Sequence, residues 1–412
     1  MSSGTAGEKE VGGGMKKTPQ GMRLHIGIFG KRNVGKSSLL NALTGRQASI
    51  VSEEPGCTTD PVRKAMEFHP LGPVLFTDTA GVDDDTKLGR ERVARSREIL
   101  DSTDLALVLA TADDFGFIEK ELVDELKAAK TKVLLVFNKA DQLPLDEEEK
   151  SRARSLFGEF YQCSAKTGQG IEELRRVIVE KAPPLAIEKS IASDLLPHGG
   201  GLAVLVVPID LEAPKGRLIL PQVQVIRDLL DGDSACLVVK ERELSAMLSR
   251  LSQDPDLVIT DSQAFLKVAA DLAPHVALTS FSILFARLKG DLDYFIESTE
   301  AIECLQSGDR VLIAEACTHH PVGEDIGRVK IPRWLNNYVG GGLDVTHVQG
   351  RHFPERLDEY DLVIHCGACT FNDKKVKSRI SACKRASVPM TNYGMTIAYV
   401  QGLFERAVAV FR

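Results

Sequence analysis

Three cysteines and one phosphate-type loop are the residues in this chain best suited to chemistry. Cys317 stands in Cys317-Thr318-His319-His320, while Cys366 and Cys369 stand in His365-Cys366-Gly367-Ala368-Cys369. Thiolates are soft ligands suited to iron–sulfur clusters and zinc. A Cys-x-x-Cys pair joined by Cys317-x-His319 and His365 points to a bound metal. Three Cys and one His would close a tetrahedral zinc site. Three Cys alone would leave one iron of a 4Fe-4S cluster open or held by an exchangeable ligand. Near the other end, Gly30-Lys31-Arg32-Asn33-Val34-Gly35-Lys36-Ser37 matches G-x-x-x-x-G-K-S/T between an apolar strand and a helix. Its glycines let backbone N–H groups close around phosphate oxygens at a helix N-terminus, where the partial charge is positive. Lys36 is placed to neutralise the β- and γ-phosphates, and Ser37 to bind Mg²⁺, with Ser38 beside it.

Three further segments choose the base. Asp78-Thr79-Ala80-Gly81 ends a strand, with Asp78 placed to hold Mg²⁺ through water and the Gly81 amide to sense the γ-phosphate. Asn138-Lys139-Ala140-Asp141 resembles the guanine-specificity motif of translation-factor GTPases; the Asp141 carboxylate accepts from guanine N1 and N2, donors that adenine does not present in that pattern. Ser164-Ala165-Lys166 resembles the loop whose backbone amide contacts guanine O6. Thr58, in Gly56-Cys57-Thr58-Thr59-Asp60, is the candidate Thr that reports the γ-phosphate through Mg²⁺. Ordering of the loops at about 53–60 and 81–90 would follow from those contacts. Val82 stands where many GTPases carry a water-orienting Gln, so intrinsic hydrolysis should be slow. Asn33 resembles the Asn of potassium-activated relatives of the tRNA-modification GTPase, where K⁺ supplies the charge that an arginine finger gives elsewhere.

These residues must be positioned by more than one domain, since 412 residues exceed a single ordinary one. Strands alternate with helices throughout, which indicates an α/β fold with mainly parallel sheets. Residues 1–21 are Gly-, Ser- and Lys-rich and read as a flexible tail. Residues 22–182 form the P-loop GTPase domain, and Pro183-Pro184 marks a boundary. Residues 185–270 form a smaller α/β unit, of a size light for a self-sufficient domain and suited to structure or oligomerisation. Residues 271–412 are expected to form a doubly wound α/β domain carrying the cysteines. In it the spacing predicts strands at Val276–Ser280, Arg310–Ala314 and Leu362–His365, and one helix over Met395–Val410. Cys317 and Cys366 would then follow two strand ends, the edge where open parallel sheets bind ligands. With a formal net charge of −7 and no basic, aromatic-laced surface in the last two units, no nucleic-acid partner is expected. No apolar stretch suits a membrane span and no secretory signal is present, which favours a reducing, cytoplasmic setting. A ribosome- or tRNA-associated GTPase with a structural zinc is the alternative reading, because its nucleotide motifs would look the same.

The paired cysteine motifs behind a potassium-type GTPase module resemble the FeFe-hydrogenase maturation GTPase family, HydF. Thr279-Ser-Phe-Ser-Ile, Lys289-Gly-Asp, Gly327-Arg-Val-Lys-Ile-Pro332 and Thr391-Asn-Tyr-Gly394 add to the likeness, which covers about 22–412. The resemblance implies a GTPase domain, a dimerisation domain and a cluster-binding domain, assembled as a homodimer. It implies a 4Fe-4S cluster on Cys317, Cys366 and Cys369, with His319 or His365 as candidates for the fourth position. It further implies a scaffold that carries a transient di-iron precursor to apo-hydrogenase, working with two radical-SAM maturases.

Overall fold

The computed structural model describes residues 18–45, 62–79, 99–184, 189–197, 200–208, 218–316 and 325–412. Thr58, Gly81, Val82, Cys317 and His319 lie outside these. Six strands build the first sheet: β1 Leu24–Gly30, β2 Val62–Phe68, β3 Gly72–Asp78, β4 Leu105–Ala110, β5 Lys132–Phe137 and β6 Phe160–Gln162. They lie in the order β2-β3-β1-β4-β5-β6. All pairs are parallel except β2 with β3. All six residues of β4 are buried, as expected of an apolar run covered on both faces. β2 was not legible as a strand. It is an edge strand whose Arg63, Lys64 and Glu67 break the apolar pattern, as edges commonly do.

The second sheet has β7 Leu202–Val206, β8 Ala235–Val239, β9 Leu257–Thr260 and β10 Ala277–Ser280, in the order β10-β9-β7-β8. Here the expected boundary at residue 270 moves. The strand expected to open the third unit pairs in parallel with β9, Ala277 opposite Leu257, and so belongs to the second sheet. The helix that follows, Phe281–Lys289, explains the ambiguity. It is capped by Ser280, whose hydroxyl accepts from the Ile283 amide, and it is buried nearly all round. Ile283 and Ala286 join a core that runs from one face of the second sheet into the third unit, while Phe281, Leu284, Phe285 and Leu288 join the core on the second sheet's other face. A helix apolar on every side is one packed between two layers.

The third sheet has β11 Arg310–Ala314, β12 Asp344–Val348, β13 Leu362–His365 and β14 Met390–Asn392, all parallel, in the order β12-β11-β13-β14. The chain leaves β11 to one side and returns on the other, so the crevice between β11 and β13 is a topological switch point. The expected helix over 395–410 is two helices, Tyr393–Val400 and Phe404–Val408. Gly402, at φ +71°, breaks it, and the Leu403 amide donates back to Ala398 O at 2.8 Å. That is the glycine-terminated helix end in which the chain turns left-handed to satisfy its last carbonyls.

The third unit also docks on the first. The Asn372 amide donates to Ser102 O (2.9 Å) and to Asp104 Oδ2 (3.2 Å), and the same carboxylate oxygen accepts from the His25 backbone N–H at 2.8 Å. Lys375 and Ser378 both bind Asp101, at 3.0 Å each. Gly21, just ahead of β1, lies so close to Phe371 O, Cys369 O and Lys289 Nζ that no side chain fits there.

Burial pushes the Asp104 carboxyl up to about 7, against the His25 and Asn372 donors that favour its ionised form. An unfolded Asp releases its proton near pH 3.9. The native state therefore retains a proton that the unfolded chain has lost, and Asp104 opposes folding increasingly from about pH 4 to about 7. His25, whose ring burial holds to about 4, acts in the opposite direction below its ordinary value. The chain carrying Asp104→Asn isolates the carboxylate, and it should gain thermal stability over the parent as pH rises from 5 to 8. Melting midpoints of both chains at the two pH values check this. A variant that instead loses ground at pH 8 would show that the ionised carboxylate holds the two units together.

Candidate functional site

At the nucleotide end, β1 delivers Gly30 at φ +142°, where a Cβ would sit 2.5 Å from Leu109 O of the neighbouring β4. Asn33, at φ +60°, and Gly35, at φ +94°, turn the loop into the helix Lys36–Thr44. Val34 is buried beneath it, and Asn33, Ser37 and Ser38 are exposed on the open face. The Lys36 ammonium is buried and donates to Gly30 O (3.0 Å) and Lys31 O (2.7 Å). Ser37 Oγ donates to Asp78 Oδ2 at 2.5 Å. Burial raises the Asp78 pKa, while Ser37 and Lys36 pull it back down. The other carboxylate oxygen, Oδ1, is buried without a hydrogen-bond partner. A hydroxyl beside a carboxylate with one unsatisfied buried oxygen is a donor set that fits a hard, oxygen-seeking cation such as Mg²⁺.

Asn138 does more than its motif suggests. It is 2% exposed; its amide donates to Val34 O (2.9 Å), and its Oδ1 accepts from the Ala165 N–H (3.0 Å). One side chain thus ties the phosphate loop to the Ser164-Ala165-Lys166 loop, and it lies hard against Gly35, leaving no space there for a Cβ. Ser164 is fully buried, and its hydroxyl accepts from the Thr167 amide at 3.1 Å. Lys139 takes a left-handed backbone, φ +62°, and Asp141 stays exposed. The phosphate loop, Asp78, the 138–141 loop and the 164–166 loop therefore converge at the carboxyl ends of β1, β3, β5 and β6.

At the cysteine end, β13 ends at His365 and the chain turns through Ala368, at φ +52°, to Cys369. Cys366 and Cys369 are half-buried. Cys366 Sγ accepts the Ala316 N–H at 3.1 Å, and Thr370 Oγ1 donates to Ala316 O at 3.2 Å. Both backbone groups of Ala316 are thus pinned to the Cys366–Thr370 turn, and Cys317 is the next residue in the chain. Burial pushes the Cys366 thiol up to about 11, against the Ala368 and Ala316 N–H groups. An N–H donor on sulfur is a contact of the kind that orients and stabilises a thiolate ligand. Among the described residues no three His, Cys, Asp or Glu side chains form a metal group by themselves.

His365 is not free to bind a metal. Its ring is 1% exposed; Nε2 meets the Arg379 guanidinium at 2.9 Å, and Nδ1 meets Cys366 O at 2.8 Å. A guanidinium can only donate, so Nε2 accepts and the proton sits on Nδ1. Burial, with Arg379 beside it, drives the imidazole down to about 3. Both nitrogens are committed, and the expected candidacy of His365 for the fourth cluster position falls.

Two cations at this end escaped the sequence reading. Lys289 is 1% exposed and donates to Ala368 O (2.8 Å), Cys369 O (3.2 Å) and Phe371 O (2.7 Å). Burial lowers its pKa to about 8, while Cys369, Cys366 and Asp373 raise it. Arg379 is 2% exposed and also binds Gly350 O (2.7 Å) and His352 O (3.1 Å). Lys289-Gly-Asp stood out as a segment but carried no role, and nothing in the spacing around Arg379 marks it. A cavity of about 360 Å³ opens beside this turn at the junction with the first unit, lined by Arg63, Ala316, Arg351, Thr370 and Lys375 among others.

Comparison with known proteins adds the following. Residues 25–139 match the model of a 50S ribosome-binding GTPase, 191–290 the Hydrogen maturase F dimerization domain, and 293–410 the Hydrogen maturase F tetramerization domain. The tRNA modification GTPase MnmE of Heliobacterium modesticaldum is 36% identical over 178 residues, 42% of this chain and 38% of that protein. GTPase Era of Carboxydothermus hydrogenoformans is 32% identical over 38% of this chain and 55% of its own length. GTPase Der of Campylobacter lari is 31% identical over half of each. The chain thus spans between about a third and just over half of these relatives. Among solved structures, Aquifex aeolicus Era bound to GDP and aluminium fluoride overlaps 52% of this chain and 92% of its own, at 21% identity and a TM-score of 0.33. The middle unit's expected dimerisation role agrees with its family model; the tetramerization domain in the cysteine-bearing unit was not anticipated. A GTPase domain followed by both Hydrogen maturase F domains means that the chain belongs to the HydF family of hydrogenase maturation GTPases.

Proposed function

We propose that this hydrogenase maturation GTPase is a scaffold that holds a 4Fe-4S cluster on Cys317, Cys366 and Cys369, carries a di-iron precursor there, and delivers it to apo-FeFe-hydrogenase in concert with two radical-SAM maturases. The observation that carries this reading is the clamp of Ala316 onto the Cys366 thiol and the Thr370 hydroxyl, which ties the residue before Cys317 to the turn that bears the other two cysteines. With three protein thiolates, a bound cluster would supply one iron with an exchangeable position. His319 is the remaining histidine candidate for that position. The protein's own part is to hold the turn, through Ala316 and Thr370, and to keep Cys366 away from water. The cytoplasm is the proposed setting; no helix among the described residues is long and apolar enough to cross a membrane.

At the other end the phosphates of GTP would lie on the Gly30–Ser37 backbone, with Lys36 leaving its loop carbonyls for the β- and γ-oxygens. Ser37, Thr58 and, through water, Asp78 would hold Mg²⁺, and the Gly81 amide would sense the γ-phosphate. Asn138 orients the guanine loops, Asp141 accepts from the base, and the Ser164–Lys166 loop presents a backbone amide to it. Asn33, exposed on the lip of the loop, would take a K⁺ against the phosphates. The carriage of cargo by an assembly of several copies fits the two oligomerisation domains.

Anaerobic reconstitution tests the cluster. The parent chain should take up roughly four irons and four sulfides, and Cys366→Ser and Cys369→Ser should each lose most of that iron. Stoichiometric zinc without iron would instead favour the structural-zinc GTPase. Potassium tests the switch. GTP turnover should be at least about tenfold faster in K⁺ than in Na⁺, below the 10³–10⁵ of an arginine finger, and Asn33→Ala should abolish the difference. Equal rates in the two salts would remove K⁺ from the mechanism.

A further inference from the structure

Lys289 poses an electrostatic problem that the fold alone does not solve. Its ammonium is buried, donates to the carbonyl oxygens of Ala368, Cys369 and Phe371, and lies 5.5 Å from the centre of the Phe285 ring. No carboxylate among the described residues lies within ion-pair distance of it; Asp373, the acidic group nearest in its electrostatics, pairs with Lys189 and Lys377 instead. Arg379, which meets His365 Nε2 and lies over the Phe353 and Phe371 rings, is equally buried and also lacks a carboxylate partner among the described residues. Burying one uncompensated cation is costly, and buried charges are as a rule paired or bound to metal centres. Two of them flanking one Cys-x-x-Cys turn leave that turn with a local excess of positive charge.

We propose that Lys289 is the counter-ion of an anionic metal–thiolate group held on Cys366 and Cys369, and the positioning residue that shapes their turn. The three carbonyls it gathers belong to the turn itself, so the same ammonium sets the path of the chain from Ala368 to Phe371. The thiolates on that chain supply the negative charge that the surrounding protein withholds. The N-terminal segment completes the enclosure, since Gly21 packs on the same carbonyls and on the ammonium with no side chain between. Arg379 serves the same balance from behind His365. This inference rests on the cluster reading above.

The test is the Lys289→Met chain, which keeps the length of the side chain and removes its charge. A positive charge beside a cluster favours the reduced form, so its loss should shift the midpoint potential of the reconstituted cluster to more negative values. A folded apo variant that fails to take up iron also supports the proposal. A loaded variant with the parental potential overturns it. If the parent itself takes up no iron and sulfide, the cluster reading fails first and the counter-ion fails with it.

Discussion

The pairing of β11 with β13 is the constraint on which the cysteine end depends. Val311 opposite Leu362 and Ala314 opposite His365 fix where both strands stop. Because the register is set by buried residues on both strands, each fully buried side chain contributing roughly 1.5–3 kcal/mol, the two strand ends cannot slip past one another. Chain segments about fifty residues apart therefore leave the sheet side by side. Cys366 is the first residue after one strand, and Cys317 follows the other within three. Parallel strands make this available because their carboxyl ends all face one way, and reversal of the winding direction at β11 opens the crevice between them.

The same logic governs the nucleotide end, and the two ends are joined by one strand. β1 finishes at the phosphate loop, but it begins beside the cysteine turn, where Gly21 meets Cys369 O and Phe371 O and His25 shares Asp104 with Asn372. β4, which carries Asp104 at its start, supports Gly30 through Leu109 near its end. The two sites thus occupy opposite ends of the same pair of strands, separated by the length of β1, seven residues or roughly 20 Å. Any coupling between them must either pass along this rigid pair or bypass it through the surfaces where partner molecules bind. A buried parallel strand has few alternative arrangements, and coupling requires an element with two.

Much of this was legible in the sequence, and what was missed has physical reasons. The phosphate loop and the base-reading motifs are local, since a few adjacent residues carry both the turn and the chemistry; their convergence follows once the strands are in order. The buried strands β4, β9, β11 and β13 announced themselves as short apolar runs. β2 did not, because an edge strand tolerates charge. The boundary near residue 270 failed because β10 and the helix after it are apolar on every side, and no one-dimensional pattern says which of two neighbouring sheets such a segment joins. His365 was misjudged for a related reason. Its neighbour Cys366 made it look like a ligand, whereas the residue that claims it, Arg379, lies one strand and one helix away. Lys289 stood out only within a segment that resembles the family, and Arg379 not at all; only tertiary packing removes them from water.

The two ends also share a device. Lys36 is a buried ammonium folded back onto the carbonyls of its own glycine-rich loop, Gly30 O and Lys31 O. Lys289 is a buried ammonium held by the carbonyls of the cysteine turn. Carbonyl oxygens satisfy the three donors of such a group but carry only partial charge, so they orient an ammonium without neutralising it. In the proposed function Lys36 meets a nucleotide phosphate, and the backbone of its loop is shaped to take it. Cys366 and Cys369 stand to Lys289 as the phosphate stands to Lys36, with the difference that their negative charge appears only when the thiols give up their protons. A metal is what makes thiols do so in a buried setting. On the proposed reading, the cation and the cysteines are each unfavourable alone and become favourable together once a metal group is bound, as a carrier of an inorganic group would require.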